Sequence, residues 1–168
     1  MIRHLSWDDF ETLALSLVEQ LRDKQYDLIL GIARGGLPLS VYLSHKLEMR
    51  TFGTLLAKKT RSEEAFALAR QDRLVISDYI LPSCQPRSIL VIDDVVAYGD
   101  LFSSVETLLH THYGPELHIS YATLFLDKHQ VSQGPFGSIL NTLYYAENID
   151  NSRIWIVFPW ENTPQANQ

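Results

Sequence analysis

The sequence predicts an α/β protein, a twisted and mainly parallel sheet flanked by helices. Two continuous apolar runs, Leu28-Ile29-Leu30-Gly31-Ile32 and Ser88-Ile89-Leu90-Val91-Ile92, have the composition of strands buried on both faces. Both lead through Gly-containing turns into segments whose apolar residues recur every three to four positions, the spacing of helices. Strands that alternate with helices form parallel sheets.

Ser6, with Asp9 three residues later, has the form of a helix N-cap, and Phe10, Leu13, Leu17 and Leu21 then make one apolar stripe. Leu28 to Ile32 is a short strand. Arg34-Gly35-Gly36 releases it into a helix from Leu37 to about Leu47, with Pro38 tolerated in the first turn. A second strand is expected from Thr51 to Ala57. Lys58 to Arg87 breaks the rhythm. A charged stretch, Lys58-Lys59-Thr60-Arg61-Ser62-Glu63-Glu64, runs through an alanine-rich piece to Leu74-Val75-Ile76 and a Pro-bounded loop, expected to be a lid that is partly helical or hairpin-like. Ser88 to Ile92 is the central strand, Leu101 to His110 its helix and His118 to Leu126 another strand. Leu143-Tyr144-Tyr145-Ala146 and Ile154 to Phe158 are the last expected sheet elements. One domain spans residues 1–161, followed by a polar tail, 162–168.

With 168 residues, 46% of them hydrophobic, the chain can bury one core but not two ordinary ones. A net charge of −6 argues against nucleic acid as a partner, since no basic footprint is present. The single Cys84 cannot form an internal disulfide. No stretch approaches the length of a membrane span, and Met1-Ile2-Arg3-His4-Leu5 runs into a helix start rather than an export segment, so a cytoplasmic protein is expected. Of the six histidines only His110 and His112 are closely spaced, at a helix end, and a zinc site is not expected.

The chemistry concentrates where the β-branched run of residues 88–92 ends in Asp93-Asp94, followed by Val95-Val96-Ala97-Tyr98-Gly99-Asp100. An arbitrary Asp-Asp after a strand is as often a solvated turn. Here the pair stands at the carboxyl end of a buried strand, where open α/β sheets keep their ligand sites. The amides that start the next helix favour an anion, and carboxylates accept hydroxyl protons. A ligand with both hydroxyls and a phosphate, such as a ribose phosphate, suits that combination.

The acidic strand end, together with Ser6-Trp7-Asp8, Gly31-Ile32-Ala33-Arg34-Gly35-Gly36 and Trp155-Ile156-Val157-Phe158-Pro159-Trp160-Glu161, resembles the type I phosphoribosyltransferases, enzymes that use phosphoribosyl pyrophosphate (PRPP). The likeness is to their purine-salvage branch, around the xanthine-guanine and hypoxanthine-guanine enzymes, and runs from roughly Leu5 to Glu161. It implies the type I phosphoribosyltransferase fold, with a lid at 58–87 and a small C-terminal hood at about 143–161. It further implies that Asp93 and Asp94 receive the ribose hydroxyls directly or through Mg²⁺, and that Arg34, Gly35 and Gly36 hold pyrophosphate. Ala97, Tyr98, Gly99, Asp100 and Leu101 would surround the 5′-phosphate. Lys128 would contact a 6-oxo group, Trp155 would stack on the base, and the Ile156 backbone would bond its edge. The partners implied are PRPP and a purine base or nucleoside monophosphate, in a homo-oligomer. The reaction implied is transfer of a 5-phosphoribosyl group to a purine, a 6-oxopurine by the Lys128 match, with release of pyrophosphate.

The turn at 97–101 departs from the family pattern. Tyr98 and Leu101 replace two hydroxyl residues, Asp100 adds a negative charge where a phosphate dianion sits, and Ala97 replaces an aspartate. Weak phosphate affinity is therefore expected, unless Ser103 and Ser104 supply hydroxyls. The alternative function is a weakened or inactive nucleotide-binding regulatory protein on the same fold.

Overall fold

The two apolar runs lie side by side at the centre of one sheet. The computed structural model describes residues 1–59, 74–150 and 154–161. In chain order the elements are β1 (Ile2–His4), α1 (Trp7–Leu21), β2 (Leu28–Ala33), α2 (Gly36–Lys46), β3 (Phe52–Lys59), β4 (Leu74–Ile80), β5 (Ser88–Val96), α3 (Asp100–Tyr113), β6 (His118–Leu126), α4 (Lys128–Gln133), a 3-10 turn (Gly137–Asn141), β7 (Leu143–Asn148) and β8 (Trp155–Val157). Six strands form the main sheet in the order β4-β3-β2-β5-β6-β7. All neighbours are parallel except β4, which runs antiparallel to β3.

That order has a switch point. From β2 the chain moves outward to β3, and from β5 it moves the opposite way to β6 and β7. The carboxyl ends of β2 and β5 therefore open a crevice between diverging connections, where ligands bind in such sheets.

Alternation along the central strands builds two core layers. Leu28, Leu30, Ile32, Ile89 and Val91 face one side with Val105 and Leu109 of α3. Ile29, Leu90 and Ile92 face the other, with Leu17 and Leu21 of α1 and Leu39 and Leu43 of α2. The N-cap at Ser6 is a full capping box: the Asp9 amide donates to Ser6 Oγ at 3.1 Å and the Ser6 amide donates to Asp9 Oδ2 at 2.8 Å. The predicted stripe faces the core, with Leu13 only half-buried.

The structure departs from expectation in four places. The N-terminus does not run directly into α1: Ile2–His4 pair in parallel with β8, a two-stranded sheet separate from the main one. Of the last expected sheet elements, β7 is an edge strand of the main sheet, whereas β8 belongs to that small sheet. Within the stretch expected as a lid, residues 60–73 lie outside the described residues and Leu74–Ile80 pair with β3 as an edge strand. Finally, β5 continues through the acidic pair to Val96, so Asp93 and Asp94 sit in the strand rather than after it. Among the described residues, no helix is long and apolar enough to cross a membrane.

Candidate active site

β2 and β5 are parallel neighbours, and the register Gly31↔Ile92 carries the next residues, Arg34-Gly35-Gly36 and Asp93-Asp94, to the same end of the sheet. There they interlock. A methyl group on Gly35 would lie 1.9 Å from Asp94 Oδ2, and one on Gly36 would lie 2.6 Å from the Ile92 carbonyl oxygen and 2.9 Å from Asp93 Cα. The turn lies directly on the acidic strand, so a Cβ at Gly36 would meet fixed backbone, whereas one at Gly35 would meet the Asp94 carboxyl. The Ala33–Arg34 peptide is cis.

The following amide secures each carboxyl: Asp94 N–H donates to Asp93 Oδ1 at 3.0 Å, and Val95 N–H donates to Asp94 Oδ1 at 2.8 Å. Burial raises both pKa values above the ordinary carboxylate range. At Asp93 the neighbouring charge of Asp94 adds to that rise. At Asp94 the bonds from Asp93 and from the Val95 amide oppose it, and the charge of Glu161 adds to it. Glu161 is brought close by the chain after β8, where Glu161 Oε2 accepts the Phe158 amide at 3.0 Å and the rings of Phe158 and Trp160 stack at 4.7 Å.

Among the described residues, no three His, Cys, Asp or Glu side chains form a cage for a metal. The acidic pair nevertheless fits a cation such as Mg²⁺, which takes one or two protein carboxylates and fills its shell with water and phosphate oxygens.

The turn at 97–101 is rebuilt relative to its sequence pattern. Gly99, at φ +75°, precedes α3 with no side-chain cap, and Tyr98 is 48% exposed. The Leu101 side chain is only 4% exposed and packs with Val105 in the core, so any ligand role is limited to its main chain. The Ser103 hydroxyl donates to the Asp100 carbonyl at 3.3 Å, inside its own helix. Main-chain amides at the start of α3 remain as anion donors, with the Asp100 carboxylate opposing them.

The remaining sequence-predicted residues are spread around this edge. Arg34 is exposed and borders an apolar groove of about 820 Å³ with Trp7, Leu37 and Val41, between α1 and α2. β6 stops at Leu126, and Lys128 opens α4 after the Asp127 cap. Its amide donates to Asn148 Oδ1 at 3.2 Å, and the next amide, of His129, donates to Asp150 Oδ1 at 2.7 Å. These bonds tie the ends of β6 and β7 together.

On β8, Trp155 N–H donates to the Met1 carbonyl and Leu5 N–H to the Val157 carbonyl, both at 2.9 Å. Residues 155 and 157 thus bond towards β1, and strand alternation turns the Ile156 N–H and C=O to the opposite edge. The Ile156 side chain is 8% exposed and sits in the core with Phe10 and Phe125, whereas the half-buried Trp155 lies on the other face.

Sequence reasoning missed the role of Glu161, although the residue stands in the motif 155–161. It also missed the Asn148 and Asp150 clamp on α4. Both depend on chain returns that no local spacing encodes.

No protein-family profile matches the sequence. The xanthine-guanine phosphoribosyltransferase of Cereibacter sphaeroides is 29% identical over 167 residues, covering 94% of this chain and 86% of that one. A purine phosphoribosyltransferase from Pyrococcus horikoshii superposes with a TM-score of 0.69 at 26% identity, covering 99% of both chains. The xanthine-guanine-hypoxanthine phosphoribosyltransferase of Helicobacter pylori superposes with a TM-score of 0.66 at 20% identity, covering 96% of this chain and 94% of that one.

The two glycines separate fold from site. Gly36→Ala meets backbone and should destabilise the protein by about 2 kcal/mol. Gly35→Ala meets only the movable end of Asp94 and should fold while displacing that carboxyl. Thermal melts distinguish them, and equal losses would show that the interlock at Gly35 is rigid.

The acidic pair also sets a pH dependence. Because folding raises these pKa values, the stabilising contribution is present below the unfolded carboxylate range and is lost as pH rises through the folded values. Without ligand, Asp93→Asn with Asp94→Asn should therefore melt above wild type at pH 7, by about 1 kcal/mol or roughly 3 °C. The gap should close as pH falls towards the carboxylate range. A gap that does not change with pH would mean the pair is not strained by its charge.

Proposed function

We propose that this chain, related in sequence and fold to the type I purine phosphoribosyltransferases, transfers a 5-phosphoribosyl group from PRPP to a purine base and releases pyrophosphate. The observation that carries the proposal is the interlock of Gly35 and Gly36 with Asp94 and Asp93. It brings a close-packed glycine turn and two carboxyls to one point of the sheet edge, as a ligand with adjacent phosphate and hydroxyl groups requires.

In this proposal Asp93 and Asp94 accept the 2′- and 3′-hydroxyl protons of the ribose. Their negative charge also lies near C1, where positive charge develops as pyrophosphate leaves. The main chain at 34–36 holds pyrophosphate, and the amides at the start of α3 hold the 5′-phosphate. Asp93 and Asp94 would hold Mg²⁺, directly or through water, and the cation would supply charge neutralisation as pyrophosphate leaves. The base lies on Trp155 with its edge on the Ile156 N–H and C=O, and Lys128 selects a 6-oxopurine. A cytoplasmic homo-oligomer completes the proposal.

A second reading, a regulatory nucleotide-binding protein with weakened transfer, is favoured by one feature. Asp100 places a carboxylate at the phosphate end of α3, and the buried Leu101 offers no side-chain hydroxyl there.

Pyrophosphate release with guanine, hypoxanthine, xanthine and adenine in turn decides between the two. Wild type should turn over at least one 6-oxopurine, and release with none of the bases would sink the transfer reaction. Asp93→Asn with Asp94→Asn should abolish PRPP binding in a calorimetric titration containing Mg²⁺. Trp155→Ala should weaken nucleoside monophosphate binding by about 1–3 kcal/mol if the ring stacks on the base. Asp100→Asn should tighten PRPP binding by about 0.5–1 kcal/mol; unchanged affinity would show that this carboxylate does not face the phosphate.

A further inference from the structure

We propose that Arg3 is a positioning residue for the base site: by its ion pair with Glu147 it seats β8, the strand that presents Trp155 and the Ile156 backbone. The inference rests on the transfer reaction proposed above. Its basis is the anchoring of β8, which is three residues long and pairs with β1 rather than with the main sheet. A two-stranded pair so short is marginal alone. Apolar packing of Ile156 and Phe158 holds it against the core, but such packing is non-directional and does not fix where the strand lies along its own axis.

Arg3 supplies that fix. It is in register with Ile156, and its guanidinium crosses to β7, with Nη1 to Glu147 Oε1 at 2.5 Å and Nη2 to Oε2 at 3.1 Å. The two parallel bonds form a fork that constrains angle as well as distance. The same guanidinium lies 5.3 Å from the centroid of the Phe125 ring. Phe125 and Glu147 are themselves register partners on β6 and β7. Thus the main sheet fixes Glu147 and Phe125, these fix Arg3, and the β1 ladder transmits the position to β8. The two side chains are 38% and 35% exposed, so the pair adds little to global stability. Its effect is geometric.

Arg3→Met should raise the KM for the purine base about tenfold while leaving the PRPP KM within about twofold of wild type, because only the base end is misplaced. Glu147→Gln should do the same, Arg3→Lys should fall between, and Arg3→Glu combined with Glu147→Arg should recover most of the loss. Hydrogen exchange gives a readout independent of turnover. In Arg3→Met the amides of residues 155–157 should exchange faster while those of 89–92 do not change.

Unchanged exchange at 155–157 in a folded Arg3→Met protein overturns the proposal, as does a parallel rise of both KM values with a lowered melting temperature. Faster exchange with an unchanged base KM removes β8 from the base site. If wild type transfers to none of the bases, the transfer reaction fails, and the exchange comparison alone decides whether Arg3 seats β8.

Discussion

The site depends on the contact between the turn after β2 and the carboxyls of β5. Two adjacent parallel strands end together, and the turn leaving one lies so close to the other that a single methyl group at either glycine would collide. This contact fixes the start of α2 beside Asp93 and Asp94. At Gly36 an added Cβ would meet the β5 backbone, and at Gly35 it would meet the Asp94 carboxyl. Everything else at the sheet edge is arranged around it: α3 begins at the end of β5, α4 at the end of β6, and the chain after β8 brings Glu161 alongside.

Electrostatics at that edge work against the unliganded protein. Burial favours the protonated forms of Asp93 and Asp94, the charge of Asp94 adds to this at Asp93, and the charge of Glu161 adds to it at Asp94. A protein selected only for stability would not keep such a pair, since even half-buried carboxyls without a counter-charge are destabilising. The arrangement makes sense when a ligand or cation supplies the missing partners. The turn at 97–101 continues the acidic character, with Asp100 at the helix start and Leu101 committed to the core. Any phosphate held there depends on main-chain amides and on the sheet-edge geometry more than on side-chain donors.

The proposed base end is built differently. It rests on β8, a strand outside the main sheet, whose only strand partner among the described residues is the N-terminal β1. The first residues of the chain are thus structural parts of the candidate site, about 150 positions away from the residues they support. Arg3 and Glu147 join the two sheets at this place, and Phe125 beneath them belongs to the same core as Ile156 and Phe158.

The central strands, the helix stripes, the Ser6 cap and the three motifs were legible in the sequence because each is set by local chemistry. Unbroken β-branched runs report burial on both faces, periodicity reports a helix face, and Ser6 with Asp9 reports a cap. Tertiary structure decided what local spacing does not encode. It set the extension of β5 through the acidic pair, because pairing with β6 continues to Val96. It set Lys128 at the start of a short helix, because Asp127 caps the turn there. It also paired Ile2–His4 with β8, a contact of high sequence separation between segments too short to show a period. The sequence by itself determined which residues could form the candidate site. Only the folded sheet order determined which of them meet, since adjacency of β2 to β5 and of β1 to β8 is a property of the whole chain's packing.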